Sequence, residues 1–241
     1  MTYVGTAGWT LYGAHESFPA GSSVLSRYAQ RLPAVEINSS FYRQHGPQTY
    51  AKWSDCTGRR FRFAVKVPRA ITHEGRLRRS RTELAAFLAG VRGLGRRLGP
   101  LLVQLPPSLE FEPRVARRFF DTVRELHDGP VVCEPRHVSW FTDRAEALFD
   151  LRRVGRVAAD PALTPSAAHP GGWTGVAYWR LHGSPRKYWS TYETSRLQAW
   201  AAAVSELPRR TEAWCIFDNT AGGGATRNAL ELAQLLDRRR Q

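Results

Sequence analysis

Cysteine, methionine and lysine are scarce in this chain of 241 residues, which holds three, one and three of them. Cys56, Cys133 and Cys215 are odd in number, far apart and never in a C-x-x-C pair, so neither a disulfide framework nor a zinc ribbon is expected. Two of the three fall in predicted strands, where a thiol serves as a small buried hydrophobe. No apolar run approaches the roughly 18–20 residues that span a bilayer, so no membrane partner is expected. A strand pattern begins almost at Met1 and leaves no room for a signal peptide, which makes the cytosol the expected compartment. H-E-x-x-H, Rossmann, Walker and G-x-S-x-G patterns are all missing, the last even around Ser39 and Ser40. No cofactor is indicated.

The shortage of lysine gives the net charge of +14 an unusual form, because nearly all of it is arginine. Such a charge attracts polyanions, and nucleic acid is one partner it predicts. A GC-rich coding bias predicts the same excess. Many arginines fall on predicted outer helices, among them Arg92, Arg96, Arg114, Arg117, Arg118, Arg152 and Arg153, and they look spread around the chain rather than gathered in a stripe.

What the chain does have is a repeated ending. Eight short aliphatic or β-branched runs each stop at polar residues. The runs are 3–7, 34–38, 62–66, 101–104, 131–134, 156–159, 177–180 and 213–217. Helical patterns occupy 22–32, 82–98, 113–126, 143–152, 195–207 and 226–239. Alternating strands and helices with polar groups only at strand ends predict an α/β fold, a single TIM-type (β/α)8 barrel over residues 1–241, with function at its C-terminal face. The stretch from Pro161 to Gly175 carries three prolines and three glycines, so the sixth βα unit is expected to be irregular.

Side chains two apart on a strand share a face. Glu36 with Asn38, Glu134 with Arg136, and Arg180 with His182 are therefore expected to project together into the barrel mouth. Lys66, Gln104, Asp160, Asp218 and Asn219 join them from other strand ends. In this reading Glu36, Glu134 and Asp218 serve as base or metal ligands, and His137 and His182 move protons. Lys66, Arg136 and Arg180 hold an anion. The donor set also admits a divalent metal, although no tight ligand spacing appears. The alternative is that the acids and arginines merely neutralise one another. After the last strand, Ala221-Gly222-Gly223-Gly224-Ala225 runs into a helix, and Gly223 and Gly224 are candidates for cradling a phosphate there. Trp9, Tyr12, Phe41, Tyr42, Trp140, Tyr188, Trp189 and Tyr192 follow strand ends, and either stack on a ligand or plug the barrel top.

The strings Thr6-Ala7-Gly8-Trp9, Val35-Glu36-Ile37-Asn38-Ser39-Ser40-Phe41-Tyr42, Phe63-Ala64-Val65-Lys66 and Ile71-Thr72-His73 are distinctive together with Leu102-Val103-Gln104-Leu105-Pro106-Pro107, Glu134-Pro135-Arg136-His137 and Arg180-Leu181-His182-Gly183. With Phe217-Asp218-Asn219 and Asn228-Ala229 they resemble the YecE-like domain-of-unknown-function family nearly end to end. The resemblance implies a TIM-type barrel and supplies no reaction. It implies recurrent roles for Glu36, Asn38, Tyr42, Lys66, His73, Gln104, Glu134, Arg136, His137, Trp140, Arg180, His182, Tyr188, Tyr192 and Asn219. Pro135 departs from the family's usual aromatic or aliphatic residue, and Thr10–Phe18 lacks its usual second tryptophan. The expected function is an enzyme of hydrolase or lyase type acting on a phosphorylated or nucleotide-like anion. The alternatives are a non-catalytic nucleic-acid binder that uses its basic surface and exposed aromatics, and a carbohydrate-processing enzyme using Glu36 and Glu134 as its paired carboxylates, the latter disfavoured by the arginine-rich rim.

Overall fold

The structure is a computed structural model that describes residues 1–239; the expected single domain therefore extends two residues beyond the described ones. Ten strands form one sheet: β1 (Thr2–Ala7), β2 (Ala34–Ile37), β3 (Arg62–Lys66), β4 (Leu98–Gln104), β5 (Val131–Glu134), β6 (Val154–Arg156), β7 (Ala158–Asp160), β8 (Gly171–Gly172), β9 (Val176–Leu181) and β10 (Glu212–Phe217). β1 pairs in parallel with both β2 and β10, and parallel pairing continues round to β6 on one side and β9 on the other.

Closure depends on one residue. β6 and β7 are two halves of a single extended segment, kinked at Val157. The first half pairs with β5 and the second with β9. Val157 donates its amide to the Cys133 carbonyl at 2.8 Å, so the ladder continues through the kink. Counting β6 and β7 as one strand gives the eight parallel strands of a TIM-type barrel. The expected sixth strand was thus two short ones. Its unit carries no α-helix: a 3-10 turn at Pro165–Ala168 leads to β8, which returns antiparallel onto β6.

The outer layer contains α1 (Val24–Tyr28), α2 (Pro47–Asp55), α3 (Arg81–Val91), α4 (Pro113–Leu126), α5 (Asp143–Leu151), α6 (Thr194–Ser205) and α7 (Gly224–Arg238). Two expectations need correction. α2 was not foreseen; Pro at its first turn starts it, and Tyr50 and Ser54 are what it buries. The helix expected over 82–98 stops at Val91. Gly95 takes φ +54 there, and Leu98 already belongs to β4. α4 matches its expected bounds because Ala116, Phe119, Phe120 and Val123 fall on one buried stripe at helical spacing.

Two cores result from strand alternation. The larger lies between the sheet and the helices. The smaller fills the barrel with Tyr3, Ala34, Ala64, Leu102, Val132, Val157, Val176, Tyr178, Trp214 and Ile216. Trp214 forms its floor, with Tyr3 at 4.7 Å and Tyr178 stacked at 5.9 Å between ring centroids. One pleat further towards the C-terminal ends, the inward positions turn polar. That change places the site.

Candidate functional site

Arg180 organises the polar tier. Its guanidinium is fully buried and meets three carboxylates: Nε and Nη2 donate to Glu36 at 3.0 and 2.7 Å, Nη1 to Glu134 at 2.7 Å, and Nη2 to Asp218 at 3.1 Å. Tyr178, two residues earlier on the same face of β9, donates its hydroxyl to Glu36 at 2.8 Å. Two residues later, His182 places Nε2 2.9 Å from Glu134 and Nδ1 2.9 Å from Asp218. Gln104 donates to Glu134 at 2.8 Å, and Arg136 reaches the same carboxylate at 3.2 Å.

Charge in this tier is matched from within. Burial alone would raise the Glu134 carboxyl, but Arg180, Arg136 and His182 hold it well below the usual range. Burial likewise opposes ionisation of Asp218, and Arg180 and His182 again prevail. Both remain carboxylates at neutral pH. Glu36 is 0% exposed and accepts three hydrogen bonds, and Glu134 is 1% exposed with four donors facing it. These two were expected to act as general bases; both are buried and hydrogen-bonded to Arg180. A metal would have to displace the Arg180 guanidinium to reach them. Among the described residues no group of three His, Cys, Asp or Glu side chains is arranged to hold a metal ion.

Above this tier the mouth is cationic. Lys66 lies 3.9 Å over the Phe41 ring, and burial followed by the nearby Arg180 lowers its ammonium to about 8, against the pull of Glu36, Glu134 and Asp218. His73 stands on a single π-turn, Ala70–Glu74, where it is lowered to about 4 by burial, Lys66, Arg69 and Arg136. Lys187 is partly buried and lowered, first by burial and then by Arg136. Tyr188 presents its ring edge to His182 at 5.7 Å and is 38% exposed. Asn38 follows β2 directly, with its Oδ1 buried and without a hydrogen-bond partner among the described residues.

Several expected residues lie elsewhere. Trp140 is buried between sheet and helices, donating Nε1 to the Leu109 carbonyl at 2.8 Å and stacking on Phe149. His137 pairs with Ser139 at 2.8 Å, outside the Arg180 network. Tyr192 and Asp160 bond each other at 2.9 Å, and Asp160 turns outward to Arg196 at 2.7 Å. Asn219 clamps the loop after β9 by donating to Ser190 at 2.9 Å and Asn228 at 3.0 Å. Tyr42 is 78% exposed and packs only edge-on against Phe41. The glycine run serves close approach: a Cβ on Gly223, at φ +72, would meet the Tyr12 ring at 2.5 Å, and one on Gly224 would meet Thr191 Oγ1 at 2.6 Å. Loop neighbours therefore occupy the space beside both glycines. Tyr178 and Lys187 were missed. For Tyr178 the signal was present, since it precedes Arg180 by two residues on a strand.

The arrangement can be compared with known proteins. The model of a family described as "Protein of unknown function DUF72" matches residues 3–241. The chain belongs to that family. It is similar to the UPF0759 protein YunF of Bacillus subtilis strain 168, 25% identical over 98% of this chain and 95% of that one. The UPF0759 protein YecE of Escherichia coli K12 is 31% identical over 61% of this chain and 52% of its own length. A DUF72 family protein from Enterococcus faecalis V583 has the same fold, with a TM-score of 0.83 at 22% identity over 98% of this chain and 96% of that one. The YecE-like assignment read from the motifs therefore holds, and so does the barrel. No helix is long and apolar enough to cross a membrane among the described residues.

Proposed function

We propose that this DUF72 chain is an enzyme of hydrolase or lyase type that takes a phosphorylated or nucleotide-like anion at the C-terminal face of its barrel. One observation carries the reading. Arg180, Arg136 and His182 bond the three carboxylates from within the tier, so Lys66 and Lys187 face the opening as cations that make no ion pair among the described residues. A cationic mouth on a low-dielectric floor favours an anion and strengthens its hydrogen bonds. Lys66 is the proton-transfer group. With its ammonium lowered to about 8, a useful fraction is neutral amine near pH 7.5, while the rest is an ammonium that holds charge. Arg136, held on Glu134 through Nε and Nη2, keeps Nη1 for a phosphoryl oxygen. His182, sealed between Glu134 and Asp218, is a positioning residue that fixes the carboxylates against which Arg136 is set.

This reading takes a cytosolic location with it, since the exposed Cys56 is a free thiol and Cys133 and Cys215 are buried and unpaired.

The test is a binding and turnover series with inorganic phosphate and a panel of nucleotides and phosphorylated small molecules. Lys66→Met and Arg136→Gln each remove one charge-assisted hydrogen bond, worth about 1.5–3 kcal/mol, and should weaken phosphate binding roughly 10–100-fold. Lys66→Met should also abolish turnover of any substrate found. Undiminished phosphate affinity in both variants would sink the proposal.

A further inference from the structure

A second basic feature lies outside the mouth. A groove of about 810 Å³ runs between the segment leading into α3 and the surface of α4, and it is lined by Arg78, Arg79, Arg81, Arg114 and Arg118. A neighbouring cavity of about 420 Å³ shares Arg114 and Arg118 and extends the lining to Arg117 and Arg144. A third, of about 330 Å³, shares Leu77, Arg78 and Glu112 with the first and continues to Arg76 and Ser108. The three make one strip along the outside of the barrel. The sequence hides it, because its arginines come from the loop after β3 and the first residue of α3, from α4 and from the start of α5.

Most carboxylates along this strip already have partners, Glu110 in the third cavity being the exception among the described residues. Glu112 pairs with Arg78 at 2.5 Å, Glu125 with Arg81, and Asp121 with Arg152. Arg79, Arg114, Arg117, Arg118 and Arg144 are exposed and make no ion pair among the described residues. Positions 114, 117 and 118 share one face of α4 by helical spacing. The loop that supplies the opposite wall is held in an uncommon conformation. Arg76, Leu77 and Arg79 have φ of 47°, 64° and 49°, in the left-handed region that non-glycine residues seldom enter, and buried Leu77 anchors the turn. Strained backbone here presents Arg78 and Arg79 to the groove.

We propose that this arginine strip binds the phosphodiester backbone of a nucleic acid without reading its sequence. Guanidinium forks match phosphate oxygens, and several in a row match a polymer of phosphates better than a single ion. The large exposed aromatics Tyr12, Tyr42, Tyr188 and Trp189 lie on other loops, and the aromatics lining the strip are buried or half-buried, which favours backbone contact over base stacking. Net charge of +14 supplies long-range attraction, and the strip supplies the place. This inference stands independently of any chemistry at the mouth.

The experiment is fluorescence anisotropy with a labelled single strand of about 20 nucleotides and its duplex, titrated over a salt series. Two triple variants remove equal charge: Arg114→Gln/Arg117→Gln/Arg118→Gln in the strip, and Arg59→Gln/Arg209→Gln/Arg210→Gln elsewhere on the exposed surface. The strip variant should bind at least about 10-fold more weakly, with the log–log salt slope reduced by about two to three. The surface variant should stay within about threefold of wild type. Equal losses in both would reduce the effect to net charge and overturn the proposal. So would a wild-type protein that fails to bind at about 0.1 M salt, or displacement of the strand by polyglutamate at equal charge. Photo-crosslinking of the unsubstituted protein to a thiouridine-bearing strand reads the same contact without any variant. Crosslinks should map to residues 113–126, and crosslinks found only at other peptides would overturn the assignment.

Discussion

Replacing Arg180 by methionine should turn the pH dependence of stability upside down. The guanidinium makes four hydrogen bonds to Glu36, Glu134 and Asp218, and its side chain is 1% exposed, so water cannot take its place. Breaking a buried ion pair from one side typically costs about 3–5 kcal/mol, because a charge is left without compensation. Three carboxylates share this one cation, so the loss at pH 7 should reach at least the upper part of that range. Against a whole-domain stability of about 5–15 kcal/mol, the variant would be close to unfolding. In the wild type Glu134 and Asp218 are held below their usual range. Their contribution is therefore present above the unfolded carboxylate pKa and lost as pH falls through the lower folded values. Without Arg180, burial dominates and raises the same carboxyls. The variant should then gain stability as pH drops from about 7 to 5, because protonation removes the buried charge. Urea unfolding at 25 °C with linear extrapolation, run at both pH values, measures the two slopes. Adding Glu36→Gln should recover part of the loss, as expected of residues sharing one network. A deficit under about 1 kcal/mol at pH 7, or parallel pH slopes for wild type and variant, would refute the reasoning.

Other outcomes follow from the same geometry. Phosphate affinity measured by calorimetry should decline as pH rises through about 8, where Lys66 loses its proton, and Lys66→Arg should move that decline to higher pH. Trp140→Ala should cost about 3–5 kcal/mol of stability while leaving phosphate binding by the surviving folded protein unchanged, since the indole lies between sheet and helices. A matched fall in affinity would return Trp140 to the ligand. Gly224→Ala should destabilise by about 1–3 kcal/mol, because its Cβ would press on Thr191 Oγ1 and Asn219 Nδ2; thermal melts in which the variant equals wild type would disprove that clash.

Local patterns made the strand ends legible. Glu36, Gln104, Glu134, Arg180, His182 and Asp218 gather in one tier and Lys66 stands just above it, because inward-facing positions recur every second residue and the barrel gathers strand ends on one face. Asp160 failed the same rule. It lies beyond the kink at Val157, and a change of pairing partner within one segment leaves no mark on residue types. Trp140 and Tyr192 failed for another reason: an aromatic after a strand end reads alike whether it lines the opening or folds back under the loop.

The sequence by itself determined the family, the eight-strand barrel with its irregular sixth unit, and the ring of polar strand ends, since each is a matter of local periodicity and motif. Tertiary structure alone decided what those polar groups do to one another. Arg180 reaches carboxylates 144, 46 and 38 residues away, and that convergence makes Glu36, Glu134 and Asp218 its counterions. It likewise gathered arginines from three elements into one strip. Charge pairing depends on distances of a few ångströms across the fold, and spacing along the chain carries no record of them.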